Sequence, residues 1–275
     1  MKTPTYEMLS FDLADRVAIL TLNRPDRRNA FLPRMGKELF DAFARCERSE
    51  DVRAIVVTGA GDHFCVGAEL TTDDDLFVQR VAEHESPNES LLMLDAPPWS
   101  MTTPIIGAIN GDAIGIGCTL PLHWDIRLVA EQARLSFAFV RRGVIPERNS
   151  HWLLPRLVGY AHAKDLLITG RMFTGEYAAR IGLATEALES KQVLPAALEI
   201  ARDIAQNVSP AAAGITKRLL TRVANMTPME AEETERQLFK WCAEQQDAKE
   251  GVVSFLEKRE PEWQGRKRAE LPVEL

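Results

Sequence analysis

Several things are scarce or missing in this sequence, and each absence narrows its class. Only four cysteines occur in 275 residues: Cys46, Cys65, Cys118 and Cys242. They lie far apart in apolar contexts without Cys-x-x-Cys spacing, which argues against a zinc site or a disulfide framework and predicts buried, reduced thiols. Positive charge is not in surplus. Lys and Arg total 33 against 40 Asp and Glu, a formal net charge of -7. With no basic stripe interleaved with aromatics, an extended nucleic-acid platform is excluded, although a local basic cluster can still hold a small anion. No run approaches the roughly 18 apolar residues of a membrane span. The opening "MKTPTYEMLSFDLADR" carries acids and no apolar stretch, so no signal peptide is expected. No internal repeat or low-complexity segment is visible. A cytoplasmic enzyme or binding protein, without membrane or nucleic-acid partners, is the class that remains.

What is present reads as alternating strands and helices. "RVAILTLNRP" alternates apolar residues and is stopped by Pro25, as a strand would be. "LPRMGKELFDAFARCERSED" places Leu32, Met35, Leu39, Phe40 and Phe43 at helical spacing. "VRAIVVTGAG" is continuously apolar, as a strand covered on both faces requires. "TTPIIGAINGD" is a third strand and "DIRLVAEQARLSF" reads as a strand pair. "SHWLLPRLVGYAHAKDLLITG" is helical, with a break or kink expected at Pro155. Beyond about Gly182 four helical segments follow without a strand. In the third of them, Met229, Leu238, Trp241 and Cys242 can share one face. The expected class is α/β with mostly parallel strands. Residues 1–195 are expected to form the core and residues 196–275 a helical region, either a separate layer or a surface for other subunits.

The stretch "GDAIGIGCTLPLHWDIRLVA" (Gly111–Ala130) follows a strand and leads into a helix. It fails as a dinucleotide fingerprint because Leu120 stands where the third glycine belongs. Its glycines are explained either by tight strand-to-helix packing or by a site built from backbone donors. A turn entering a helix leaves its first N–H groups without partners, and such groups hold an anion or a carbonyl oxygen gaining charge. Pro121 is compatible with a first helical turn. A second stretch, "GDHFCVGAEL" (Gly61–Leu70), has the same character, passing from a strand through Gly67 to Ala68. Two such turns after parallel strands lie on one edge of the sheet. Two N–H groups converging on one oxygen make an oxyanion hole.

Taken together, "NRPDRRNAF", "HFCVGAEL", "INGDAIGIGCTLPLHWDIRLVA", "RRGVIPE" and "AKEGVVSFLEKREPEW" resemble, in order, the crotonase (enoyl-CoA hydratase/isomerase) superfamily over about residues 8 to 265. The resemblance implies a crotonase-like spiral of ββα units with a C-terminal helical region, and homotrimers or dimers of trimers. It also implies acyl-CoA thioester substrates, in which coenzyme A is part of the substrate and not a separate cofactor. It assigns the hole to the N–H groups of Ala68 and Ile116. Family members usually carry glycine at the second position, so Ile116 is a departure that adds bulk near the thioester.

A thioester carbonyl polarised by two N–H donors acidifies its α-carbon, and the acids beside the acyl chain then decide the reaction. Hydratases of the family use two glutamates, which by matching fall here at Thr119 and Phe139. Neither carries a carboxylate. Glu147 matches a position where some enoyl-CoA isomerases place a single catalytic glutamate, and where a dehalogenating member places an aspartate. Read alone it is equally a solvated loop acid. One carboxylate suits a proton shuttle between C2 and C4 of a 3-enoyl-CoA, so double-bond isomerisation with Glu147 is the first expectation. The alternatives are a hydratase or hydrolase using Glu147 with water, and a non-catalytic acyl-CoA binding protein.

Arg24, Arg27 and Arg28, in a loop after a strand, suit phosphate recognition through paired N–H donors, or else form a solvated charge run. The resemblance also brings Lys258 toward the CoA of a neighbouring subunit. Arg148, next to Glu147, either lowers its pKa or holds an acidic acyl group. His63, His123 and His151 read first as packed or exposed residues, and Trp99 and Trp152 as core residues before pocket walls. Asp73, Asp74 and Asp75 read as a solvated loop, and no metal is called for.

Overall fold

A computed structural model describes residues 4–70 and 98–274. The chain opens with an antiparallel pair, β1 (Leu9–Ala14) and β2 (Val17–Leu22), in register from Leu9 opposite Leu22 to Ala14 opposite Val17. Asp15 and Arg16 close the hairpin, both at positive φ, as a tight two-residue turn demands. Helix α1 (Pro33–Arg48) packs against this pair and buries Met35, Leu39, Phe40 and Phe43. From there the chain spirals between two sheets. Three times it lays down a strand in a six-stranded sheet and then a three-residue strand in a four-stranded one. The pairs are β3 (Ala54–Gly59) with β4 (His63–Cys65), β5 (Ile105–Ile109) with β6 (Asp112–Ile114), and β7 (Ile126–Ala130) with β8 (Arg134–Ser136). The larger sheet has the order β1-β2-β3-β5-β7-β10, and the smaller β4-β6-β8-β9, with β9 at Phe173–Thr174 and β10 at Glu186–Leu188.

Every residue of β3 is buried, which explains its unbroken apolar run. The expected pair within "DIRLVAEQARLSF" does form two strands, but they do not pair with each other: β7 joins the larger sheet and β8 the smaller. Between β6 and β7 stands the four-residue helix α2 (Ile116–Thr119), continued by a 3-10 turn, Leu120–His123. Helix α3 (Ser150–Thr169) follows and α4 (Gly175–Arg180) closes the spiral. Helix α3 is interrupted at Gly159 (φ 75°, ψ 160°) and not at Pro155, because the glycine takes a backbone conformation closed to other residues.

Helix α5 (Ser190–Asn207) runs through the expected boundary at residues 195 and 196. It buries Val193, Ala197 and Ala201 and packs against β2, β3, β5 and β7, so it belongs to the core. Helices α6 (Pro210–Arg222), α7 (Pro228–Ala243) and α8 (Gln246–Glu257) complete the chain. On α7 Leu238 is buried while Met229 is exposed, so the expected shared face is only partly covered. The segment after α8 returns to the core. The Lys267 ammonium donates to the carbonyls of Cys46 and Val52 and to Thr103 Oγ1. The Glu47 carboxylate accepts from the N–H and hydroxyl groups of Thr102 and Thr103 at 2.8 to 3.1 Å. These bonds satisfy two buried charges that would otherwise be costly. No helix among the described residues is long and apolar enough to cross a membrane.

Candidate active site

The two glycine turns meet. Strand β4 pairs in parallel with β6, Cys65 opposite Ala113, so the turns that follow them run side by side. A Cβ placed on Gly115 would lie 3.9 Å from Gly67 Cα, and one on Gly67 would lie 3.1 Å from the Ile114 carbonyl oxygen. Both glycines stand at positive φ, 99° for Gly67 and 56° for Gly115, a conformation that glycine adopts without penalty.

The local hydrogen bonding determines which N–H groups are left over. Phe31 forms a parallel bridge with Ala68: Phe31 N–H donates to Gly67 O at 2.7 Å, and Glu69 N–H donates to Phe31 O at 3.1 Å. Because extended residues alternate their polar groups from side to side, the N–H of Ala68 turns away from Phe31. It donates to no acceptor among the described residues. At the second turn Gly115 N–H is tied to Ser136 O at 2.8 Å, while Cys118 and Thr119 N–H both return to Gly115 O. That leaves Ile116 N–H, at the first position of α2, without an acceptor among the described residues. With α2 only four residues long, the donor capacity resides in the N–H groups themselves more than in any helix dipole. Ile116 itself is buried, its side chain within the core cluster.

The positions matched to family glutamates lie close by. Thr119 is fully buried, its hydroxyl against Ile116 O at 3.5 Å. The half-buried Phe139 brings its Cζ within 3.9 Å of the Cβ direction of Gly115, an apolar ring beside the second turn. Glu147 lies in the loop before α3, with its side chain 45% exposed and its Oε1 3.7 Å from Arg148 Nε. Its carbonyl accepts from Ser150 N–H and from the Ser150 hydroxyl. That loop is fastened to the chain leaving the second turn. His123 Nε2 meets Arg148 O at 2.9 Å, a contact in which the ring nitrogen must donate. Burial pushes His123 down to about 4, so the ring is neutral at physiological pH. Trp99 packs on His123, with ring centroids 5.1 Å apart.

The basic loop is placed beside the first turn. Asn29, fully buried, donates from Nδ2 to Ala60 O at 2.9 Å and His63 O at 2.7 Å, and accepts from Arg24 N–H at 2.9 Å. Val66 N–H donates to Arg28 O at 3.3 Å. Arg24 is engaged structurally, its guanidinium 2.9 Å from the Glu69 carboxylate and bonded to Ala30 O at 2.8 Å. Arg27 and Arg28 are exposed, Arg27 being 4.0 Å from Glu69. Lys258 is the exposed, left-handed cap of α8, and no ion pair links it to the other site residues among those described. The aspartates at 73–75 lie outside the described residues. Sequence reasoning missed Asn29 and the contact between His123 and Arg148. An asparagine directly after two loop arginines is a signal for the left-handed backbone it adopts (φ 54°). The His123 contact spans 25 positions and leaves no local mark.

The arrangement offers two N–H donors on adjoining turns, the Glu69 carboxylate beside the first turn, the Glu147 carboxylate in the loop before α3, and an exposed basic loop. The family model described as enoyl-CoA hydratase/isomerase matches residues 12–266. An enoyl-CoA hydratase of Alternaria alternata, AKT3-2, is 36% identical over 253 residues, spanning 91% of this chain and 84% of the relative. The 1,2-epoxyphenylacetyl-CoA isomerase of Escherichia coli is 31% identical over 258 residues, covering 91% of this chain and 95% of its own length. Among solved structures, a probable enoyl-CoA hydratase/isomerase from Mycobacterium abscessus superposes with a TM-score of 0.88 at 41% identity, covering 94% of this chain and 99% of the other.

Proposed function

This chain belongs to the enoyl-CoA hydratase/isomerase family, and on that premise we propose that it moves a double bond in an enoyl-CoA thioester by way of an enolate. The thioester oxygen accepts from the N–H groups of Ala68 and Ile116. Glu147 takes a proton from C2 of a 3-enoyl-CoA, and the electron pair delocalises onto the thioester oxygen and across to C4. Return of the proton to C4 yields the 2-enoyl isomer, and one carboxylate performs both transfers. A preorganised N–H donor of this kind contributes on the order of 10²–10³ in rate. The observation that carries the proposal is the pairing of two free N–H groups with an oxygen-poor wall. Thr119 and Phe139 supply no carboxylate, and Glu147 is the acid-base group proposed in their place.

A second reading draws on the half-exposed side chain of Glu147. Water can reach such a carboxylate, and a hydratase or thioester hydrolase would use that water. The CoA phosphates fall to Arg27 and Arg28, which are exposed beside the first turn. A homotrimer or dimer of trimers has its apolar surface in Phe239 of α7 and Phe255 and Leu256 of α8, all strongly exposed in the single chain. The test is incubation of the wild type and Glu147→Gln with 3-enoyl-CoA and, separately, with 2-enoyl-CoA. Isomerisation that the substitution reduces by about 10²–10⁴ supports the proposal. Water addition by the wild type supports the second reading. Full activity in Glu147→Gln overturns the assignment of Glu147, and thioester binding without turnover identifies a non-catalytic binder.

A further inference from the structure

The guanidinium of Arg148 is buried, its side chain 10% exposed, and it makes no hydrogen bond among the described residues. Its Nε–H is enclosed and unpaired. Its nearest counter-ion, Glu147, stands 3.7 Å away, beyond hydrogen-bond reach, and the ring of Phe40 lies 5.7 Å beneath it. Arginine keeps its proton in such surroundings, and among the described residues the cost of burial is offset by the Glu147 charge and the Phe40 ring but by no hydrogen bond. The contrast with Arg127 is informative. That side chain is also buried, but its Nε–H donates to Leu183 O at 2.8 Å and its Nη1 to the carbonyls of Pro121 and Trp124. Arg127 holds the fold together; Arg148 is largely buried, and its enclosed Nε–H has no acceptor among the described residues.

The backbone around it is also constrained. Arg148 and Asn149 occupy consecutive left-handed conformations, φ 52° and 55°, and residues kept in such conformations gather at ligand sites. The Arg148 carbonyl is fixed by His123, which is neutral and therefore brings no competing charge. Through His123 the loop is anchored to the segment that begins with Ile116, and Glu147 is the adjoining residue.

We infer that Arg148 is a specificity-determining residue, and that the acyl group it selects carries an oxygen acceptor beyond the reacting carbons, a carboxylate being the acceptor that uses the guanidinium most fully. The inference rests on the acyl-CoA reading above. Five N–H donors in a planar fork match two parallel bonds to a carboxylate, whereas a keto oxygen takes one or two. An unbranched alkyl chain takes none and leaves the donors unpaired, which is the arrangement that discriminates most strongly between substrates.

Saturated thioesters, which cannot isomerise, separate binding from turnover. Titration calorimetry of the whole protein would compare succinyl-, glutaryl- and adipyl-CoA with butanoyl-, pentanoyl- and hexanoyl-CoA, and include 5-oxohexanoyl-CoA. The wild type is expected to bind the best carboxylate thioester about tenfold more tightly than the alkyl thioester of equal length. Arg148→Met, which replaces the charge with an apolar chain of similar length, should abolish that preference while alkyl binding stays within a few-fold. Arg148→Lys should restore part of it. A preference for the 5-oxo thioester over both others supports a neutral acceptor in the same place. Equal or better binding of alkyl chains by the wild type overturns the inference, as does a uniform loss in Arg148→Met, and either result leaves the acyl-CoA reading intact. Failure to bind any thioester overturns that reading and this inference with it.

Discussion

Gly117→Ala perturbs the proposed oxyanion hole without touching either donor. A Cβ on Gly117 would stand 3.1 Å from the carbonyl carbon and from Cβ of Cys65, and nearer still to the Cys65 carbonyl oxygen. Side-chain carbons essentially never approach backbone within 3.0 Å, and the obstacle is the backbone of β4, not a flexible side chain. Strand β4 and helix α2 must therefore separate by on the order of 1 Å, and the turn bearing Ile116 moves away from the turn bearing Ala68. Misplacement of that size costs about 10² in rate, and complete loss of one donor costs about 10²–10³, or roughly 2.7–4 kcal/mol. Overpacking itself destabilises by about 1–3 kcal/mol, which most folded proteins survive. The assay is exchange of the α-proton of a saturated acyl-CoA in D2O, read by mass spectrometry, with folding checked by circular dichroism and melting. Gly251→Ala is the control, since that glycine lies inside α8 without a positive φ and a Cβ there would stand 3.4 Å from its nearest neighbour, the Trp263 ring, an ordinary contact. The reasoning predicts a fall in exchange of about a hundredfold in Gly117→Ala and little change in the control. A folded Gly117→Ala protein that exchanges at nearly the wild-type rate would refute it.

Asn29→Ala strips partners from Arg24 N–H, Ala60 O and His63 O at a buried position. Denaturant titration should show a loss of about 2–4 kcal/mol, and a loss below about 1 kcal/mol would mean that the loop is held by other contacts. Burial pulls the Lys267 ammonium down to about 8 from its ordinary 10.5. Between those values the unfolded chain holds a proton that the folded chain has released, so folding gains stability as pH rises through that window. The stability of the wild type relative to Lys267→Met, which has no charge to titrate, should therefore increase from pH 8 toward 10.5. A flat or falling difference would show that Lys267 keeps its ordinary affinity for the proton.

The legibility of this chain follows the range of each signal. The buried run of β3 and the helical spacing of α1 are local, and both elements stand where the periodicity puts them. The three-residue strands β4, β6 and β8 are too short to show a period, yet they bring the two turns together. The turns themselves were legible because glycines at positive φ mark backbone that must bend sharply or approach other backbone. Proline's missing donor is the stronger local signal and points to Pro155, whereas the backbone breaks at Gly159, where the torsion is cheapest. The enclosed Nε–H of Arg148 and the clamp by His123 arise from contacts between distant segments, and no local pattern announces them.

In the proposed site Ala68 and Ile116 aim two N–H groups at one thioester oxygen. Infrared difference spectroscopy of hexanoyl-CoA labelled with ¹³C at its carbonyl tests it without dependence on turnover. The account predicts that the carbonyl stretch moves to lower wavenumber on binding to the wild type, and that Gly117→Ala loses most of that displacement. A bound thioester whose carbonyl stretch stays at its value in water would contradict the account.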